Sequence, residues 1–255
     1  TSVFSIVNMA TMVMTSPDFN TKFFNSLPDM NNRQVAEQFL DDKAEILGDV
    51  IRQHGLQGKV GVLRVHNHFP LTGNEKVVAS LPSLMDDEKS GLLLGLQNIK
   101  IEPREVTGDE SQALLPYMFS WNSDVNRLEP LQFFAKDATL IQDRLNFVAA
   151  QPDFIAAFVA KLQELKSTKT LGFYIHYEDL LQHGDKHDGM TEFSYQHSRV
   201  QRLFTNHEVD DSYKATSKTL LTTTTQWGFT DHGMFQGRMY CARSGANGEV
   251  HWHSH

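Results

Sequence analysis

Apolar positions recur three and four residues apart in one stretch near the start of the chain, and alternate with polar ones through most of the rest. From Asn31 to about His54, the residues Val35, Phe39, Leu40, Ile46, Leu47, Val50 and Ile51 fall at helical spacing, and Gly55 stands where a C-terminal cap belongs. This predicts a helix. Mid-chain, Asp137 can cap a segment with Leu140, Ile141, Leu145 and Val148 on one side. After Gln151-Pro152-Asp153, the residues Phe154, Ile155, Phe158, Val159, Leu162 and Leu165 make a second stripe. Two helices joined by a tight turn are expected there.

The segments KVGVLRVHNHF, EKVVAS, LQNIKIE, PYMFSW, PLQFFA, TLGFYIHYE, TEFSY, SRVQRLF, SKTLLTTTTQWGF, MFQGRMYCAR and EVHWHSH are short and rich in aromatic and β-branched residues. Gly, Pro, Asn and Asp clusters separate them. Helices do not alternate with strands, so antiparallel pairing is expected. The fold class is α+β, a large mainly antiparallel β-sheet or sandwich of about ten strands with about three covering helices. One domain over 1–255 is expected: a helical segment 1–56, a β-rich body 57–135, a helix pair 137–167 and a β-rich part 170–255. SGANGE, 244–249, has hairpin chemistry, and SLMDDEKSG and HGDKHDG read as surface loops.

Composition narrows the partners. With 255 residues, 40% hydrophobic and 21% charged, the chain can bury a sizeable core. A net charge of −8 and the lack of any Lys/Arg run argue against nucleic acid or an anionic membrane, leaving a small-molecule substrate or ligand as the expected partner. Cys241 is the single cysteine and no Asn-x-Ser/Thr acceptor occurs, so a soluble protein of a reducing, cytoplasmic compartment is expected. VFSIVNMATMVM is apolar but too short to span a bilayer, and no basic segment precedes it.

Side chains alternate across a strand, so each strand divides into two faces. In the first, Leu63, Val65 and Phe69 oppose Arg64, His66 and His68; in TLGFYIHYE, Phe173, Ile175 and Tyr177 oppose Tyr174, His176 and Glu178. Val250 and Trp252 oppose Glu249, His251, His253 and His255, and Phe235, Met239 and Cys241 oppose Gln236, Arg238 and Tyr240. If these strands share one sheet with a single buried face, their polar sets emerge together. Such a face gathers imidazoles and a carboxylate, which bind divalent transition metals, beside Arg and Tyr, which hold anionic or carbonyl groups.

The plainer alternative is a set of solvated histidines. With 12 His in the chain, chance supplies roughly half a His-x-His pair, and a His-rich end such as HWHSH can fray or be a remnant. His54, His183, His187, His197, His207 and His232 read as surface residues, and TTTT as an exposed strand.

GVLRVHNHFPLTGNE resembles the first motif of cupins, with Gly61, His66, His68 and Glu75 in its roles, although Glu75 lies further downstream than in that family and no second-motif His follows at the usual distance. The resemblance implies a metal held by His66, His68 and Glu75. HYE at 176–178, with His232, Arg243 and Ser244, is similar in order to iron and 2-oxoglutarate oxygenases, with Glu in place of their usual Asp. GVLRVHNHF and PYMFSWN also resemble segments of a group of poorly characterised fungal soluble proteins, which transfers no activity. Nucleophile elbows and Gly-rich phosphate loops are absent, and Cys241 falls on the apolar face.

The expected function is therefore a metal-dependent enzyme acting on a small organic substrate, with hydrolase, isomerase and oxygenase chemistry all open. The metal would be a divalent Zn, Fe, Mn or Cu ion. His66 and His68 would be ligands, with Glu75, His176, His251 and His253 as further candidates; Glu178 is an alternative carboxylate, and Arg64, Arg238, Tyr174 and Tyr240 would orient substrate. Two rivals stand beside it. One is a non-catalytic small-molecule-binding protein with an apolar pocket built from its 17 Phe. The other is a metal-independent enzyme using His66 or His68 as base with Glu178 as partner.

Overall fold

The computed structural model describes residues 19–30, 32–36, 38–80, 99–111, 113–135, 139–177, 190–194, 199, 201–205, 220–230 and 233–244. The helices are α1 (Thr21–Asn25), α2 (Arg33–Ala36), α3 (Asp41–Gln53), α4 (Gly108–Ser111), α5 (Thr139–Ala149) and α6 (Pro152–Glu164). The strands are β1 (Val60–Arg64), β2 (Glu75–Ser80), β3 (Ile99–Glu105), β4 (Leu114–Asn122), β5 (Arg127–Ala135), β6 (Leu171–Ile175), β7 (Met190–Ser194), β8 (Gln201–Thr205), β9 (Leu220–Thr230) and β10 (Gly233–Ser244). The α+β class and the mainly antiparallel pairing are as expected from the sequence.

The single helix anticipated over 31–54 is broken. Leu40 sits at the N-cap of α3 with φ −123° and ψ 2°, and Phe39 is 94% exposed rather than part of an apolar stripe. Asp41 and Asp42 occupy the first turn of α3 and Arg52 the last, each opposing the helix dipole. Leu47, Val50 and Ile51 are buried below. Pro152 opens α6, where its missing N–H costs nothing. Helices α5 and α6 meet at 81°, and among the described residues no single helix is long and apolar enough to cross a membrane.

The strands close into a ring in the order β1-β6-β4-β5-β2-β3-β8-β7-β10-β9, with β9 returning to β1. Only the pairs β2/β5 and β7/β10 are parallel. The large, mainly antiparallel sheet expected from the sequence is thus closed on itself. Its two faces follow from register, since directly opposed residues share a face. Val62 lies opposite Trp227, whose indole Nε1 donates to Asp41 Oδ1 of α3 at 2.7 Å. That face is outer. Gly61, Tyr174, Met118 and Gln132 are successively opposed on the inner face, and Phe134, Ala79, Ile101 and Gln201 continue it across β5, β2, β3 and β8. Gln201 lies opposite Ser194, so Glu192, two residues earlier on β7, also points inward.

Both faces are covered around β1 and β4. All five residues of β1 and all nine of β4 are buried, and one core cluster runs from Phe24 to Phe229. Outside, Phe154 and Phe158 of α6 pack edge-on against Phe173. Inside, Tyr117, Phe134 and Tyr177 stack with centroids 4.4 to 5.4 Å apart.

The inner face is tightest at Gly172, where a Cβ would fall on the carbonyl oxygen of Phe119 and within 3.1 Å of Val65 Cγ2. Because the obstacle is backbone, it cannot rotate away. Gly172→Ala is expected to cost about 2–3 kcal/mol in urea unfolding. Gly108→Ala, with nothing within 4 Å, is expected to stay within about 0.5 kcal/mol of the parent.

Candidate metal centre

Strand β1 ends at Arg64, and the loop that follows holds both histidines. Asn67 fixes its path. Its backbone N–H donates to the Pro28 carbonyl and its own carbonyl accepts from Met30 N–H, both at 2.9 Å. Its side-chain Nδ2 donates to the carbonyls of Leu27 at 3.0 Å and Phe24 at 3.3 Å. Further along, Asn25 and Leu71 exchange two hydrogen bonds of 2.8 Å. Asn67 is thereby held against the segment 24–30, while the residues on either side of it, His66 and His68, turn toward Glu192.

His66 and His68 accordingly converge, with their Nε2 atoms 3.1 Å apart. His68 Nε2 also lies 3.3 Å from Glu192 Oε1. All three donor atoms fall within 4.8 Å of one another. Ligand atoms on one tetrahedral or octahedral ion with bonds near ~2.1 Å stand roughly 3.0–3.4 Å apart, so separations of 3.1 and 3.3 Å fit a shared ion. The group could hold a metal.

Protonation favours that use. His66 Nδ1 lies 2.8 Å from the Arg64 carbonyl oxygen; a carbonyl only accepts, so Nδ1 carries the proton and Nε2 presents its lone pair. The short Nε2–Nε2 contact then needs a proton on His68 Nε2. A metal ion would take that proton's place, with His68 passing to its Nδ1–H tautomer. Burial lowers the His66 pKa to about 4 and pushes His68 well below its usual range, with neighbouring His66 adding to the shift. Both imidazoles are neutral at pH 7, so the His68–Glu192 contact is no ion pair and protons compete weakly for the nitrogens. Glu192 is 4% exposed and accepts from the Gln201 side-chain amide.

The other sequence candidates lie elsewhere. Glu75 heads β2 and forms a two-pronged pair with Arg199 at 2.9 and 2.7 Å, and it accepts from Thr72 N at 2.7 Å and Thr72 Oγ1 at 3.0 Å. Arg199 first, then the Thr72 donors, lower its pKa to about 2. His176 follows the end of β6, is 2% exposed and stacks on Tyr174 at 5.1 Å; it is not in the ligand group. Tyr174 is fully buried on the inner face. Arg64 was expected beside the histidines, yet its guanidinium donates to the carbonyls of Gln38 and Val35 on the outer side. The strand ends at Arg64, so alternation does not carry past it. Arg238 and Tyr240 lie on β10, Tyr240 opposite Thr224. Glu178, His251, His253, the SGANGE hairpin, and the histidines 183, 187, 197, 207 and 232 fall outside the described residues. His54, expected at the surface, lies against Phe154 with Nδ1 2.9 Å from the Val50 carbonyl.

Glu192 was not anticipated. Its signal is the alternation of TEFSY, which sets Glu192 apart from Thr191 and Phe193. Alone, that alternation cannot say that the Glu side faces inward.

The pKa directions separate two acid windows. The histidines are held below their unfolded value, so the unfolded chain binds more protons as pH falls from about 6.5 to about 4, and stability drops over that range. His66 alone is expected to remove on the order of 1–3 kcal/mol. Glu75 has a depressed carboxylate pKa, so its contribution is complete above about 4.5 and is lost toward 2. Urea midpoints measured from pH 7 to 3 should fall in two stages, and His66→Gln should flatten the first. No protein-family model, curated protein or solved structure matches the chain, so its functional reading stands on this geometry.

Proposed function

We propose that the protein is a metal-dependent enzyme acting on a small organic substrate, with a divalent transition metal held by His66, His68 and Glu192. The observation that carries this reading is the approach of two neutral imidazole nitrogens and one buried carboxylate oxygen to within 4.8 Å of one another. Two nitrogens and one oxygen suit Zn, Fe, Mn or Cu, and three protein donors leave positions for water and substrate. A metal there would lower the pKa of bound water or polarise a substrate carbonyl. Glu192 thus takes the carboxylate role that the cupin resemblance gives to Glu75.

A metal-independent reading draws on the same contacts. The His68–Glu192 separation of 3.3 Å suits a base oriented by a carboxylate, with Glu192 in place of Glu178. Activity that survives a strong chelator would select it.

Metal analysis tests the leading reading. The full chain carrying His251→Ala, His253→Ala and His255→Ala, which removes the tail histidines, is dialysed against Zn(II), Mn(II), Fe(II) or Cu(II) and then against buffer. About one equivalent of one metal should remain, and His66→Ala/His68→Ala or Glu192→Gln should retain almost none. Equal, near-zero metal in parent and variants would end the metal reading.

A further inference from the structure

Arg199 stands in the connection between β7, which carries Glu192, and β8, which carries Gln201. Its guanidinium reaches across to the loop that follows the histidines. Nη1 and Nη2 hold both oxygens of Glu75 at 2.9 and 2.7 Å, Nη2 donates to the Pro70 carbonyl at 2.5 Å, and the guanidinium carbon lies 5.5 Å from the Phe69 ring centroid. Phe69 directly follows His68. Arg199 itself has φ 51°, a left-handed conformation that a non-glycine residue keeps only where its surroundings over-determine it.

We propose that the Arg199–Glu75 pair is a positioning clamp for the metal centre, fixing the distance between the histidine loop and the strand that supplies Glu192. The proposal rests on the reading of His66, His68 and Glu192 as ligands. The centre draws its donors from segments more than a hundred residues apart, and no backbone ladder joins β1 to β7 directly. A fork that binds two carboxylate oxygens and a carbonyl fixes direction as well as distance, which a single-point contact does not. Side chains that hold ligand-bearing segments in this way tune metal affinity without touching the ion. As a stabilising contact the pair is minor, since Arg199 is 36% and Glu75 17% exposed.

The test is a Co(II) titration followed by visible absorption, in the full chain carrying the three tail substitutions, together with imidazole nitrogen NMR of the metal-free protein. Arg199→Ala and Glu75→Gln should each weaken Co(II) binding about tenfold or more and alter the d–d bands, while metal-free melting shifts by only a few degrees. Arg199→Lys, which keeps the charge and loses the fork, should fall between parent and Arg199→Ala. In metal-free protein, both disabling variants should shift the His66 and His68 nitrogen resonances away from the parent pattern. Co(II) affinity within twofold of the parent, or unchanged imidazole resonances, would overturn the clamp. If the parent binds no Co(II) and retains none of Zn(II), Mn(II), Fe(II) or Cu(II) on dialysis, the metal reading falls. The clamp is then decided by the imidazole resonances alone, supported if Arg199→Ala shifts them and overturned if it does not.

Discussion

Strand β1 is paired along both of its edges, with β6 on one side and β9 on the other, and that double pairing closes the ring. Without it two strands would present unpaired N–H and C=O groups, and the sheet would have one wet face. With it, every side chain of β1 is buried, helices cover part of the outside, and aromatic rings pack the inside. A packed ring offers chemistry little room along the middle of its strands. The candidate centre therefore takes its imidazoles from the loop beyond the end of β1, and only its carboxylate, Glu192, from within a strand.

That position sets its electrostatics. Two imidazoles removed from water lose their preference for a second proton, and a carboxylate beside them loses hydration that neutral rings only partly replace. The Gln201 amide supplies one donor to Glu192. A divalent cation would supply the remaining charge complement and take up the lone pair that His66 Nε2 already presents. Burial thus keeps both imidazoles neutral, as metal coordination requires, and only His68 would have to change tautomer.

Much of the architecture was readable from residue patterns, and the unread parts share one cause. Periodicity placed α3, α5 and α6 because each buries a stripe, and alternation with β-branched residues located β1 through β10. Neither reports which strands are neighbours, so ring closure was invisible. The expectation of a single wet face followed from that omission, and it misplaced Arg64, which turns outward to the carbonyls of Val35 and Gln38. His66 and His68 were found because they are close in sequence. Glu192 was missed because its partnership with them depends on the ring. Glu75, near in sequence and of the right chemistry, was bound instead by Arg199, a contact between residues 124 positions apart.

The tripeptide His66-Asn67-His68 shows how a loop can hold ligand geometry without a strand around it. Outside the sheet, the backbone between the two imidazoles must find partners for its N–H and C=O groups. Asn67 finds them on Pro28 and Met30, and its Nδ2 donates to the carbonyls of Phe24 and Leu27. Only an amide fits the last role, since a carboxylate there would set negative charge against two carbonyl oxygens and a shorter hydroxyl side chain would not reach both. The segment 24–30 thus acts in place of a neighbouring strand. Through this borrowed pairing the segment 24–30 anchors the backbone that lies between the two imidazoles.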